Sequence, residues 1–128
     1  MSYTYRPGAR VRVLIIDDNR DGADSLRLVL ELHGFEAHAA YSGPEGISAA
    51  LELAPDFVLC DIGLPGLNGY EVAAALRRHS TTAGARLIAL SAYNADEAQT
   101  RGRQAGFEHH IVKPADPDAL LGLLGEGR

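Results

Sequence analysis

The sequence contains one cysteine and one lysine, and it lacks any long apolar run. A single cysteine cannot form an internal disulfide, and the apolar neighbours of Cys60 predict a buried, reduced thiol in a reducing compartment. No apolar run approaches the roughly 18 residues of a membrane-spanning helix. Residues 1–10 are polar and lack the apolar core of a secretory signal. We therefore expect a cytoplasmic protein without membrane insertion.

Positive charge is also scarce. The chain has 12 lysine and arginine residues against 17 aspartate and glutamate residues, a formal net charge of -5. A general nucleic-acid surface needs clustered Lys and Arg, so we expect no direct binding of nucleic acid. The only lysine, Lys113, stands out for its position in the chain.

What remains is an ordinary globular mixture. Apolar residues make up 46% and charged residues 23% of the 128 residues, which is typical of a folded domain. This length fits one domain with a core of its own. We predict a flexible lead-in over residues 1–10, one domain over residues 11–125, and no output domain.

Five apolar segments alternate with five helical segments. The predicted strands are residues 11–16, 35–40, 56–60, 86–91 and 108–112. Predicted helices are residues 20–33, a segment opened by a capping-box pair (Ser42 and Glu45), 69–79, 95–105 after the N-cap Asn94, and a short helix after Asp116. The helix over residues 95–105 is polar and contains Gly102, so we expect its packing to be marginal. Strict alternation predicts an α/β fold with one doubly wound, five-stranded parallel sheet and helices on both faces.

Four of the five predicted strands end in a polar or charged group. These groups are Asp17 and Asp18, Asp61, Ser91, and Lys113. Because a parallel sheet places the carboxyl ends of its strands on one edge, we expect these groups to converge there. Each taken alone is explained by capping or solvation, but all four together are hard to obtain from capping needs.

Three carboxylates brought together repel one another and need a cation. A hard divalent ion such as Mg²⁺ takes oxygen ligands and commonly uses only one or two carboxylates. Lys113 adds a compact charge suited to phosphate, and Ser91 adds a hydroxyl donor. This combination indicates a phosphoryl-transfer site in which Asp61 is a carboxylate nucleophile.

The chain resembles the receiver domain of response regulators, the CheY-like family, over about residues 10–124. The matching motifs are Ile16-Asp17-Asp18, the run from Asp61-Ile62-Gly63-Leu64-Pro65 to Gly69, Leu90-Ser91-Ala92 and Val112-Lys113-Pro114. The resemblance implies a flavodoxin-like strand order 2-1-3-4-5.

The resemblance also implies a function in two-component signalling. Asp61 would take a phosphoryl group from a phosphohistidine of a sensor histidine kinase or phosphotransfer protein. Mg²⁺ would be held by Asp18, Asp61 and the Gly63 carbonyl, with Asp17 acting through water. Lys113 and Ser91 would bind phosphoryl oxygens. The Lys113–Pro114 bond is expected to be cis.

Further implications concern output. Such a domain is a stand-alone regulator or a receiver cut from a hybrid kinase, and it is no enzyme beyond its own phosphorylation and dephosphorylation. A downstream protein would bind the face made by the fourth helix, fifth strand and fifth helix, with Ser91 and His110 as switch residues. His110 stands where relatives usually carry Tyr or Phe. This difference predicts a weaker two-state coupling between the phosphorylation site and the output face than in those relatives. Gly63 and Tyr93 occupy the two positions that tune dephosphorylation.

Two other classes of protein remain as alternatives. A Mg²⁺-dependent phosphatase with an aspartate nucleophile would share the acceptor chemistry, but it typically needs a second Asp where Gly63 stands. An interaction module that works without phosphorylation would share the fold, but it has little reason to keep the acidic cluster, Ser91 and Lys113 together.

Overall fold

The computed structural model describes residues 10–92 and 96–125. The elements alternate as β1 (Arg12–Ile16), α1 (Arg20–Leu32), β2 (Glu36–Ala40), α2 (Gly43–Leu53), β3 (Phe57–Asp61), α3 (Gly69–Arg78), β4 (Arg86–Ser91), α4 (Asp96–Ala105), β5 (Phe107–Val112) and α5 (Pro117–Gly125). The predicted lead-in apart from Arg10, the N-cap Asn94 and Tyr93 lie outside the described residues. Every predicted strand and helix within them is present.

The five strands form one parallel sheet in the order β2-β1-β3-β4-β5. This confirms the predicted α/β class and the flavodoxin-like strand order. Strands β1, β3 and β4 are central, which explains why their sequences are nearly continuous apolar runs. After β1 the chain goes first to β2 on one side and then to β3 on the other, so the strand order reverses at β1. The carboxyl ends of β1 and β3 therefore border the crevice in which such folds carry their functional sites.

Two apolar cores lie on opposite faces of the sheet. The core against α2 and α3 contains Leu14, Val58, Ala50 and Leu76, and Phe107 joins it from β5. The core against α1 and α5 contains Ile15, Leu59, Leu30 and Leu120. Both cores take alternate residues of the same strands, as the two-residue period of a strand requires.

Helix α2 packs unusually close to β1. A Cβ added at Gly46 would lie 2.5 Å from Cδ1 of Ile16. Glycine therefore brings the helix backbone against the end of β1, directly before the first acidic residue of the predicted site. Any larger residue at this position would push α2 away from β1.

Local boundaries differ from the predictions in two instructive ways. Strand β3 runs one residue further than predicted, because Asp61 still pairs in register with Leu90. The predicted capping box at α2 is only half formed: the Ser42 hydroxyl accepts from the Glu45 amide, but the Glu45 carboxylate accepts from the Tyr41 amide instead of the Ser42 amide. A complete capping box opens α3, where Asn68 and Glu71 bond each other's amides at 3.0 Å.

The pairing of β4 with β5 contains a register shift. Leu87 pairs with Phe107, but Ile88 pairs with His109 and Ala89 with His110. Glu108 is the extra residue of a bulge. It reaches Arg86 instead, through a two-pronged ion pair at 2.9–3.2 Å. The bulge decides which side chain of the rest of β5 faces which core.

No described helix is long and apolar enough to cross a membrane.

Candidate phosphoryl-transfer site

Three carboxylates meet at the carboxyl edge of the sheet. Asp17 and Asp18 follow β1, Asp61 ends β3, and one oxygen of each lies within 4.8 Å of the others. Asp17 and Asp61 are buried, with 5% and 8% exposure, whereas Asp18 is exposed. The convergence expected from the strand ends is therefore present, and one carboxylate of the three faces solvent.

Lys113 closes this cluster from the end of β5. Its Nζ lies 2.7 Å from Oδ2 of Asp17 and 2.9 Å from Oδ2 of Asp61. The Lys113 amide donates to the Ser91 carbonyl at 2.8 Å, and the Lys113–Pro114 bond is cis, as the resemblance implied. The backbone bond between Lys113 and Ser91 thus holds the only lysine of the sequence at this edge, where its ammonium group meets two carboxylates.

The backbone fixes the other oxygens of the two buried carboxylates. Oδ1 of Asp17 accepts from the Asn19 amide at 3.0 Å, and Oδ1 of Asp61 accepts from the Gly63 amide at 2.8 Å. Asn19 also caps α1, because its side chain accepts from the Gly22 amide at 3.1 Å. Sequence reasoning did not foresee these two amide contacts, although an Asx turn after each strand-end Asp is the signal that could have found them.

Burial and charge shift the titration of this cluster. Burial raises the pKa of Asp17, and it outweighs the lowering by Lys113 and by the Asn19 amide. Burial alone would lower the pKa of Lys113, but its hydrogen bonds to Asp17 and Asp61 prevail and the pKa is raised. Lys113 is therefore protonated at neutral pH.

The donor set fits a hard divalent cation. Carboxylate oxygens are the ligands that Mg²⁺ prefers, and the ion keeps several waters, which the exposed Asp18 side of the cluster leaves room for. Gly63 is exposed beside Asp61 and has no side chain to obstruct the approach. An acidic cluster that can hold a metal ion is thus a property of the fold.

Ser91 ends β4 as predicted and is 2% exposed. It belongs to the same edge, since its carbonyl binds the Lys113 amide. Cys60, one residue before the predicted acceptor, is buried as expected, and burial raises the pKa of its thiol far above the ordinary value. A protonated thiol behind Asp61 takes no part in anionic chemistry.

The tandem histidines point to opposite faces of the sheet. His109 is in register with Ile88, which lies in the core against α1 and α5, and His110 with Ala89, which lies in the core against α2 and α3. Adjacent strand residues cannot share one ligand site when they diverge in this way. His110 is therefore on the face that α3 and α4 cover.

Fold and site together define a class. Residues 13–124 match the family model of the response regulator receiver domain. The chain belongs to that family, and with it to two-component signalling.

Relatives support the same assignment. The chain is 32% identical over 110 residues to protein PilH of Pseudomonas aeruginosa, covering 91% of it. It is 35% identical over 112 residues to the DNA-binding response regulator MtrA of Mycobacterium tuberculosis. It spans only 48% of MtrA, so it matches PilH over nearly all its length and MtrA over about half.

Solved structures agree on the fold. The chemotaxis protein CheY4 of Vibrio cholerae superposes with a TM-score of 0.88 at 26% identity, covering 94% of this chain and 100% of CheY4. The receiver fold therefore accounts for almost all of this chain.

Proposed function

We propose that Asp61 takes a phosphoryl group from a phosphohistidine of a sensor kinase or phosphotransfer protein. The observation that carries the proposal is the position of Asp61 between two other carboxylates and Lys113, at the edge where the strands end. In the transfer, an Asp61 oxygen bonds to phosphorus while the bond from phosphorus to the imidazole nitrogen breaks. The electron pair stays on that nitrogen, which water then protonates.

Lys113 must change partners during this reaction. In the resting protein its ammonium compensates Asp17 and Asp61. Once Asp61 carries the phosphoryl group, its carboxylate charge is gone and negative charge lies on the phosphoryl oxygens. Lys113 follows that charge, and the Ser91 hydroxyl donates to a second phosphoryl oxygen.

Mg²⁺ is the cofactor that we propose for this site. Asp18, Asp61 and the Gly63 carbonyl would hold it, and Asp17 would assist through water. When bound, the ion neutralises charge that develops on the transferring oxygens. The close approach of three carboxylate oxygens supports this assignment, because Lys113 alone leaves the cluster with excess negative charge.

The chain would act only on itself. Hydrolysis of the acyl phosphate by water releases inorganic phosphate and restores the Asp61 carboxylate. A phosphatase with an aspartate nucleophile needs an acid–base residue two positions later, where Gly63 offers none. A module independent of phosphorylation would have little reason to keep the buried carboxylates Asp17 and Asp61 together with Lys113.

Phosphorylation would change partner binding at the face made by α4, β5 and α5, in the cytoplasm. His110 and Ser91 are the proposed switch residues. Both lie at the β4–β5 end of the sheet, and His110 is on the side that α4 covers. This route supports a role in binding a downstream protein partner.

The test uses a small phosphodonor, acetyl phosphate, with and without Mg²⁺. Intact-mass measurement should show one added phosphoryl group only with Mg²⁺. Beryllofluoride should likewise bind only when Mg²⁺ is present. Asp61→Asn should abolish both, whereas Asp118→Asn, an exposed residue of α5, should leave both unchanged. Equal labelling of Asp61→Asn would refute the proposal, and turnover of a phosphomonoester would favour the phosphatase.

A further inference from the structure

Helix α4 buries little apolar surface of its own. Among its residues 98–105, only Gly102 is buried, and a Cβ there would lie 3.9 Å from Phe107. A helix with so few apolar contacts lies at the low-stability end of a fold. Its position must therefore depend strongly on the polar contacts that hold it.

Helix α3 supplies such contacts at two separate points. Near the beginning of α4, the Tyr70 hydroxyl donates to the Ala98 carbonyl at 3.4 Å, and the Arg101 guanidinium carbon lies 4.2 Å from the centroid of the Tyr70 ring. Ala98 and Arg101 are three residues apart and so lie on one face of α4. One tyrosine thus holds one face of the helix.

The second point lies beyond the other end of α4 and is much firmer. The Arg77 guanidinium donates to the Gly106 carbonyl at 3.0 Å and to the Ala83 and Ala85 carbonyls at 2.6 and 2.8 Å. Gly106 has a φ of 108°, and a Cβ there would lie 3.0 Å from Nε of Arg77. Only the Gly106 bond reaches the residue after α4, but its donor is charged and is held in place by the Ala83 and Ala85 carbonyls, so this contact is firmer than one long neutral bond and an exposed ring contact.

The weaker point is also the one joined to the acceptor. Tyr70 follows Gly69, where a Cβ would lie 2.5 Å from Cα of Ile62 and 2.7 Å from the carbonyl oxygen of Asp61. The Gly69 amide also donates to the Ile62 carbonyl at 3.3 Å. A shift of the backbone at Asp61 and Ile62 must therefore displace Gly69 and, with it, Tyr70.

We propose that Tyr70 and Arg101 form a coupling contact between the acceptor loop and α4, and that α4 pivots about the Arg77–Gly106 contact. Modification of Asp61 displaces Gly69, loosens the Tyr70 contact and frees the beginning of α4, while its end stays fixed. This inference rests on the proposed phosphorylation of Asp61. It adds a route through α3 to the route through Ser91 and His110.

Hydrogen exchange of the resting protein tests the contact without any phosphorylation. Tyr70→Leu and Arg101→Met should each speed exchange of the α4 amides by about two- to fivefold, as expected for an exposed cation–ring contact. The effect should be larger before Gly102 than after it. Tyr70→Phe keeps the ring and should cost less than Tyr70→Leu, and Arg103→Met, the same change two residues further on, is the matched control.

Beryllofluoride with Mg²⁺ tests the coupling itself, read by amide chemical shifts. In the wild type, residues 62–64 and 98–105 should both shift. In Tyr70→Leu and Arg101→Met, residues 62–64 should still shift, and the change over residues 98–105 should shrink by at least about twofold. The coupling contact would be overturned if the shift changes over residues 98–105 were as large in both variants as in the wild type. It would also be overturned if the α4 amides of both variants exchanged no faster than those of Arg103→Met. If residues 62–64 do not shift in the wild type, the proposed function itself fails.

Discussion

Nζ of Lys113 lies 2.7 Å from Oδ2 of Asp17. Asp17 is far from Lys113 in sequence and is only 5% exposed. In addition to the phosphoryl-binding role that we propose for it, the lysine is therefore a structural counter-ion of the acidic cluster. The same ammonium also holds Asp61, so one positive charge compensates two buried negative charges.

Lys113→Met should consequently destabilise the protein. Two largely buried carboxylates would lose their cation, and the Lys113 side chain is only 27% exposed, so we expect the free energy of unfolding to fall by about 1–3 kcal/mol. Urea unfolding measures it. Mg²⁺ should restore part of the loss, and Lys113→Arg, which keeps the charge, should lose less. A Lys113→Met protein as stable as the wild type would show that Asp17 and Asp61 need no counter-ion.

Mg²⁺ should stabilise the wild-type protein through the acidic cluster. Binding to the folded state at about 100 times the dissociation constant adds about 2.7 kcal/mol of stability. Asp18→Asn should remove most of the shift in Tm with Mg²⁺, because the exposed Asp18 supplies a charged ligand. Glu52→Gln, an exposed change on α2, is the matched control. An equal Mg²⁺ effect in Asp18→Asn would place the ion elsewhere.

Acid should weaken the sheet edge at β2. The hydrogen bond from His38 to Glu36, together with Arg12, lowers the pKa of Glu36 below its ordinary 4.5. A carboxyl group with a lowered folded-state pKa adds stability above its unfolded pKa, and this stability is lost as the pH falls through the folded-state value. When the pH falls below 4.5, the Tm of Glu36→Gln should therefore decrease less than that of the wild type. The difference should correspond to roughly 0.5 kcal/mol of stability.

Thermal unfolding between neutral pH and about pH 3, below the reference pKa of a carboxyl group, measures that difference. Glu52→Gln is again the control and should follow the wild type. Parallel curves for Glu36→Gln and the wild type would mean that the His38–Glu36–Arg12 contacts contribute nothing to acid stability.

His110→Phe should strengthen the response of α4. Its ring lies on the side of the sheet that α3 and α4 cover, and an apolar ring is buried there with less loss of hydration than a polar one. Beryllofluoride-induced shifts over residues 98–105 should therefore grow relative to the wild type. His109→Phe, on the opposite face, should leave them unchanged. Equal responses of the two variants would remove His110 from the switch.

Strand positions were predictable because β1, β3 and β4 are buried on both faces, which makes their sequences nearly continuous apolar runs. Asp17, Asp61, Ser91 and Lys113 were predictable as a group because parallel strands end on one edge. The extension of β3 to Asp61 was not foreseen, since a carboxylate normally ends an apolar strand. Here Lys113 and the Gly63 amide compensate its charge.

Long-range polar contacts were out of reach of the sequence. Arg77 looks like one of two solvated residues at the end of α3, yet it binds carbonyls of two other segments. The capping box at α3 was not predicted, although Asn68 and Glu71 carry the required spacing. Tyr70 gave no signal either, since its partner is on another helix.

The bulge at Glu108 sets which side chains of β5 face which core. Phe107 and His110 are three residues apart, an odd number, yet both face the side with α3 and α4, because the extra residue between them resets the alternation. A deletion of Glu108 that kept Lys113 at the cluster would leave Phe107 directly before His109 and still beside Leu87, so Phe107 would keep its core and only the bulge and the ion pair with Arg86 would be lost. A residue added between Phe107 and Lys113 should therefore be tolerated less well than the loss of Glu108, because it would turn Phe107 away from its core or force a larger bulge, whereas the deletion would only straighten the strand.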